Sequence, residues 1–339
     1  MRRWSTALVI GAVTVLAVLA AADALRGKDE PKAPAAAPPT ITRSGPPTLR
    51  ESLRKLAVSG FILYSDQGCH LHSLLLPRML DDVVREEGGD PVTRCRFGTA
   101  AGRIIEEDEV PSPGGSQLAR CDHGRVAVWE TESGRPLRNV RGCAPAWHPD
   151  GRLTYARGEQ VLEESRVLYS KTDLHRIARH HPNVAGLGEG VPFRVRVLAL
   201  TWLDRKRLAI SLRVDIESVE PQYFVVLLDG DRIVALDDPF GEPVRTLLAS
   251  PAGAFVAEGN GTILSRQGRS YDRLEQVPTP HAVAFSPDEG WVAMATGTSV
   301  YLVGTPRNLG RVIRLPIAAQ DLVWEPAGAG ATGPSTAAG

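Results

Sequence analysis

Between residues 51 and 326, apolar positions come in short runs broken by glycine, proline, asparagine and aspartate, and no long segment keeps a helical period. Short β-rich runs bounded by turn residues are the pattern of an all-β fold. ESLRKLAVSG at 51–60 makes one or two helical turns. A phrase recurs within the strands. It reads AWHPDGRLTYA at 146–156 and AFSPDEGWVAMA at 284–295, with shorter echoes at Ala249-Ser250-Pro251-Ala252-Gly253 and Trp324-Glu325-Pro326. Each copy is an apolar strand end, a proline turn and a second β-rich strand. The residues before the turns are Trp147, Trp202, Ala249, Phe285 and Trp324, although Trp202-Leu203-Asp204-Arg205 lacks the proline. Their spacings scatter about the 40–50 residues of a four-stranded propeller blade. A further first strand is expected at Val92–Phe97.

A glycine hairpin follows each second strand: FILYSDQGCHLHSLLL at 61–76, QLARCDHGRVAVWE at 117–130, LTYARGEQVLEE at 153–164, FVAEGNGTILSR at 255–266 and WVAMATGTSVYLV at 291–303. Glycine supplies the positive φ of tight hairpins, and Asn260-Gly261 is a strong hairpin signal in itself. The hairpin SLRVDIESVEPQYFVVLL at 211–228 carries extra residues at 214–221, the kind of interruption that displays a binding loop. The two ends of the repeat complement each other. Asp321–Trp324 lacks partner strands after it, and the hairpin from Phe61 lacks a first strand before it. Joined, they complete one blade, so the expected fold is a six-bladed β-propeller over 51–326 with velcro closure, which leaves no open end to the ring.

Phe285-Ser286-Pro287-Asp288 and Trp147-His148-Pro149-Asp150-Gly151 resemble the WD40-like repeats of bacterial TolB-type propellers. The resemblance spans most of 58–326 and is sharp in two blades. It implies a domain that binds proteins or peptides on one face and lacks catalysis.

The N-terminus changes the picture of where this domain resides. Trp4–Leu25 is one apolar stretch, long enough to cross a bilayer, with Arg2 and Arg3 before it. By the positive-inside rule, residues 1–3 form a cytoplasmic tip, 4–25 a transmembrane signal anchor, and the remainder lies outside. The rival reading is a cleaved signal peptide, with small-residue sites at Ala20-Ala21-Ala22 and Ala22-Asp23-Ala24. Both readings export the domain. The Pro/Ala-rich stretch 26–50 is a semi-rigid linker, and the small, polar residues 327–339 form a disordered tail. The expected location is the cell membrane, single-pass, with an extracytoplasmic C-terminal domain.

An even number of cysteines in an exported domain reads as disulfides. Cys69, Cys95, Cys121 and Cys143 allow three pairings. In a propeller blade the second-to-third hairpin lies at the same end as the start of the next blade. The expected pairs are therefore Cys69–Cys95 and Cys121–Cys143, each stapling one blade to its neighbour.

Charge narrows the partners. Acidic and basic side chains balance at 39 each, so no bulk field draws the chain to nucleic acid. Only Lys28, Lys32, Lys55, Lys171 and Lys206 are lysines; the other basic residues are arginines. His70 and His72 share a strand face beside Cys69, with His123 in the equivalent hairpin, but no metal-ligand spacing is present and no metal or cofactor is expected. LHRIARHHP at 174–182 reads as a solvated outer strand and loop, and AGLGEG at 185–190 as an inter-blade loop rather than a phosphate cradle. Trp147, Trp202, Phe285 and Trp324 read as inter-blade core. The expected function is non-catalytic binding of a protein, peptide or cell-envelope component. The alternative is a propeller enzyme, a lyase or hydrolase, acting at the channel mouth.

Overall fold

The computed structural model describes residues 48–84, 97–100, 103–106, 109–188, 190–217, 219–238, 243–271, 276–308 and 310–326. Trp4–Leu25, most of the linker, Cys95 and the tail lie outside the described residues. Among those described, no helix is long and apolar enough to cross a membrane.

Helix α1 (Leu49–Lys55) starts at Thr48, whose side chain forms a capping box with Glu51. The strands then follow as antiparallel meanders. The first is β1 (Gly60–Ser65), β2 (Leu71–Leu76) and β3 (Leu80–Val83); a two-stranded ribbon, β4 (Phe97–Ala100) and β5 (Arg103–Glu106), comes next. Four-stranded sheets succeed it: β6 (Val110–Pro111), β7 (Gln117–Asp122), β8 (Arg125–Glu130) and β9 (Pro136–Arg141); then β10 (Cys143–Trp147), β11 (Leu153–Ala156), β12 (Val161–Glu163) and β13 (Arg166–Tyr169). After two short helices come β14 (Phe193–Trp202), β15 (Arg207–Ile216), β16 (Gln222–Asp229) and β17 (Arg232–Asp237). The last full meanders are β18 (Leu247–Ala249), β19 (Phe255–Glu258), β20 (Ile263–Ser265) and β21 (Ser270–Tyr271), then β22 (Ala282–Phe285), β23 (Trp291–Ala295), β24 (Val300–Gly304) and β25 (Val312–Leu315). Finally β26 (Asp321–Glu325) returns to pair antiparallel with β1, from Phe61 opposite Glu325 to Ser65 opposite Asp321. Among the described residues six four-stranded sheets result, and the first takes β26 as its fourth strand.

Why these sheets form a propeller is visible in their cores. Each core is shared by successive sheets: Val126 and Val128 with Trp147 and Tyr155, Ala209 and Leu227 with Val256 and Leu264, Phe255 and Ile263 with Phe285 and Val292, and Ala293 and Leu302 with Ile62 and Trp324. Second strands are therefore covered on both faces and buried at every position in β11, β19 and β23, so apart from the buried Glu258 at the end of β19 they are continuously apolar or small rather than alternating. Outer strands such as β3 are exposed throughout.

The aromatic residues of the repeated phrase stitch sheet to sheet. Trp147 Nε1 donates to the Val110 carbonyl at 2.9 Å and Trp202 Nε1 to Thr154 Oγ1 at 2.9 Å. The Phe255 and Phe285 rings stack with centroids 6.4 Å apart. Trp324 Nε1 donates to the Ser59 carbonyl at 3.1 Å, within the closing sheet. The turns join sheets as well. Glu289, 2% exposed, accepts from the Ser250 hydroxyl at 2.5 Å and the Ala252 amide at 2.8 Å in the neighbouring sheet's turn. Gly253 adopts φ +68°, and a Cβ there would overlap the Leu203 carbonyl of the preceding sheet. Only glycine meets both demands.

Two expectations are corrected. The sheet carrying the 117–130 hairpin takes its first strand from Val110–Pro111, not from residues 92–97. That strand is two residues long and ends in proline, too short for periodicity to register. The described backbone from Phe97 belongs instead to the ribbon, whose strand β4 lies beside β26. LHRIARHHP is not an outer strand but the greater part of helix α2 (Lys171–Ala178), followed by α3 (Pro182–Ala185). Ser170 caps α2 in a capping box with Asp173, and Leu174, Ile177 and Ala178 are buried against the β14–β17 sheet.

The disulfide Cys121–Cys143 joins β7 to the first residue of β10 across a Cα separation of 5.0 Å. Cys69 is also disulfide-bonded; Cys95, its expected partner, lies outside the described residues.

A candidate binding cleft between two blades

In an antiparallel four-stranded meander the first and third turns emerge at the same end. Two adjacent sheets, β10–β13 and β14–β17, use their four turns at that end to enclose a cleft of about 420 Å³. Residues 148–152 and 163–166 form one wall, and 202–206 and 229–231 the other.

The floor is aromatic and apolar: Trp202, His148, Leu168 and Tyr169. The His148 and Trp202 rings meet edge to face with centroids 4.6 Å apart. His148 is 4% exposed, with Nδ1 2.5 Å from Asp150 Oδ1 and Nε2 3.2 Å from the Arg205 carbonyl. Both ring nitrogens are therefore engaged, and the imidazole is a strut between the walls. The Tyr169 hydroxyl donates to the Gly230 carbonyl at 2.7 Å. Burial, reinforced by the charges of Asp231, Asp173 and Asp229, pushes this phenol up to about 12. It stays protonated and acts as a second strut.

Charge on the walls is partly consumed. Arg152 pairs with Asp150 and with the buried carboxylate of Glu163. The Arg152 hydrogen bond, helped by His148 and opposed by desolvation, holds the Asp150 carboxyl far below the usual range. Arg207 pairs with Asp204 at 2.8 Å and Asp229 at 3.5 Å, and Arg232 reaches Asp229 at 3.7 Å. What remains is Arg166, Arg205 and Lys206, all exposed at the mouth and engaged in no side-chain ion pair or hydrogen bond among the described residues, together with the similarly unengaged Asp231. The cleft's lining contains no serine, threonine or cysteine. The cleft thus combines an apolar floor, rigid struts and unspent positive charge.

The residues singled out in the sequence fall elsewhere. His70 and His72 converge on Asp66, with ring nitrogens 3.2 and 3.4 Å from Oδ2. Burial works against ionisation of Asp66 but is outweighed by hydrogen bonds from the His70 amide and both rings, so its pKa is lowered. His72 stacks on Tyr64, whose hydroxyl donates to Asp81 at 2.7 Å. Among the described residues no His, Cys, Asp and Glu group is placed to hold a metal ion. Four of the LHRIARHHP side chains are also committed: His175 to Glu159, Arg176 to Asp173, Arg179 over the Phe193 ring, and the buried His181 to Asp238. Asn260-Gly261 is a turn in which Asn260 Oδ1 accepts from the Thr262 amide.

The extra residues at 214–221 lengthen β15 and β16 into a hairpin at the opposite end of the sheet from the cleft. There Gln222 Oε1 accepts from the Asn183 amide at 2.7 Å, so the hairpin leans on α3. The cleft itself was not read from the sequence. Of its residues only His148, Arg152 and Trp202 lie on the repeated phrase or its markers, and nothing in the linear pattern brings Arg166 to Arg205.

No family model matches the chain, and no curated protein matches it. Among solved structures, the chain is similar to the β-propeller domain of Cps50 (Swd1) from Myceliophteria thermophila. The two share 15% sequence identity with a TM-score of 0.42, over 79% of this chain and 87% of that one.

Proposed function

We propose that the chain is a membrane-anchored, extracytoplasmic β-propeller that binds a protein, peptide or cell-envelope component without transforming it, and that the cleft between the β10–β13 and β14–β17 sheets is where it binds. The observation that carries the reading is the cleft: a concave site with an aromatic floor and three unpaired cations at its mouth, on a scaffold tied sheet to sheet by tryptophan hydrogen bonds. Rigid scaffolds that present recognition through turns bind with little ordering cost. The location rests on the sequence. Trp4–Leu25 is the anchor, the Pro/Ala-rich linker holds the domain clear of the bilayer, and disulfides suit an oxidising compartment.

A photo-crosslinking amino acid placed at Lys206 in the full-length chain tests the site in living cells. The reading expects a discrete adduct from Lys206 and none from the same probe at Gln222 on the opposite end of the sheet. Adducts from Gln222 alone refute it. Alkaline phosphatase fused after residue 326 tests the location, and an inactive fusion places the domain on the cytoplasmic side instead.

A further inference from the structure

We infer that the cleft selects an acidic peptide: an extended segment of a partner protein in which carboxylate side chains flank an apolar residue. This rests on the reading of the cleft as the binding site and names the chemistry that fills it. Two features of the cleft point the same way. At its mouth, the native ion pairs are already complete around it: Asp150 and Glu163 are answered by Arg152, and Asp204 and Asp229 by Arg207. Arg166, Arg205 and Lys206 are left over, contributed by a turn on each wall, against Asp231 as the single unengaged acid. At its base, Trp202 and Leu168 offer apolar surface, and the indole N–H is already spent on Thr154. The base therefore has no free donor for a polar group and suits an apolar side chain.

The guanidinium groups of Arg166 and Arg205 match carboxylates in a two-point fashion, and Lys206 adds a point charge. Because all three are solvent-exposed, their attraction acts on encounter and orientation as much as on affinity and weakens with added salt. A nucleic-acid backbone is disfavoured by the same lining. Glu163, Asp229 and Asp231 sit among the cations and repel a continuous polyphosphate, whereas a peptide with discrete carboxylates reaches the cations individually.

The test uses the full-length chain in detergent and three fluorescein-labelled heptapeptides read by anisotropy: Asp-Glu-Asp-Leu-Glu-Asp-Glu, its Lys/Arg counterpart, and a Gly/Ser counterpart with the same central leucine. The acidic peptide is expected to bind about tenfold or more tighter than either of the others, with affinity falling as salt rises. Arg166→Glu and the double variant Arg205→Glu/Lys206→Glu should each weaken it about tenfold, while Arg125→Glu on β8, outside the cleft, leaves it unchanged. Melting temperatures taken alongside show that the exposed substitutions leave the fold intact. Preference for the basic or neutral peptide, lost in the cleft variants, overturns the acidic selectivity while the cleft remains the binding site. Displacement of the acidic peptide by inorganic phosphate reduces the cleft to an anion site and overturns the peptide inference. Absence of any peptide binding, when Lys206 still crosslinks in cells, overturns the inference alone; absence of both overturns the binding reading with it.

Discussion

Substituting Glu289 by alanine tests how the propeller is held together. The Glu289 carboxylate is 2% exposed and accepts from the Ser250 hydroxyl at 2.5 Å and the Ala252 amide at 2.8 Å, both in the turn of the adjacent sheet. Hydrogen bonds to a charged group contribute about 1.5–3 kcal/mol each, and removing their acceptor leaves buried donors unsatisfied. Two such bonds set the loss for Glu289→Ala at about 3–6 kcal/mol. Backbone strain cancels from the comparison, because φ at Glu289 is +57° and alanine tolerates it no better than glutamate does. At about 2–4 °C per kcal/mol for a domain of this size, the melting temperature should fall by about 6–24 °C. Glu289→Gln keeps an acceptor oxygen in the same shape and should cost about 1–2 kcal/mol. Thermal unfolding of the full-length chain by circular dichroism measures both. In the Glu289→Ala background, Ser250→Ala should cost less than it does alone, since their interaction is already gone. An alanine variant that melts with the native protein refutes the view that this turn-to-turn latch ties the two sheets.

Other outcomes follow from the same structure. Tryptic mapping without reduction should recover peptides joining Cys121 to Cys143 and Cys69 to Cys95; a Cys69–Cys143 peptide contradicts the sheet order that places β7 beside β10. Ending the chain at Gln320 removes β26, uncovers β1 and strips Trp324 from the closing core, so the truncated chain should lose cooperative unfolding, whereas ending it at Pro326 should not. Desolvation raises the pKa of Glu159, but hydrogen bonds from Lys171, His175 and the Val195 amide outweigh it and bring the carboxyl to about 2. A depressed carboxylate stabilises the fold fully above its unfolded value of about 4.5 and loses that contribution as pH falls towards 2. Denaturant midpoints should therefore drop across that window, and Glu159→Gln should flatten the drop.

What the sequence disclosed and what it hid have physical reasons. The first strands carrying Trp147, Ala249, Phe285 and Trp324 were legible because a proline turn follows each, Trp202 because it keeps their spacing, and glycine marked the hairpins that follow. Closure was legible because the strand at 321–325 lacked a partner at one end of the chain and the hairpin from Phe61 lacked one at the other. Helix α2 was missed because two turns of helix among strands give little periodicity, yet Ser170-Lys171-Thr172-Asp173 carries the capping-box spacing that announces its start. The ribbon β4–β5 and the two-residue strand β6 fell below any pattern length. The cleft was invisible for a different reason. It is made of four turns from two sheets, and the state of each cation depends on which acids are already paired, a property of contacts rather than of spacing.

Hydrogen–deuterium exchange of the full-length chain, with and without the acidic heptapeptide, tests the central claim most directly. The account predicts slowed exchange at the four turns around 148–152, 163–166, 202–206 and 229–231, and unchanged exchange in the 216–222 hairpin and helix α3. Protection confined to that hairpin and helix, or none at all, would contradict it.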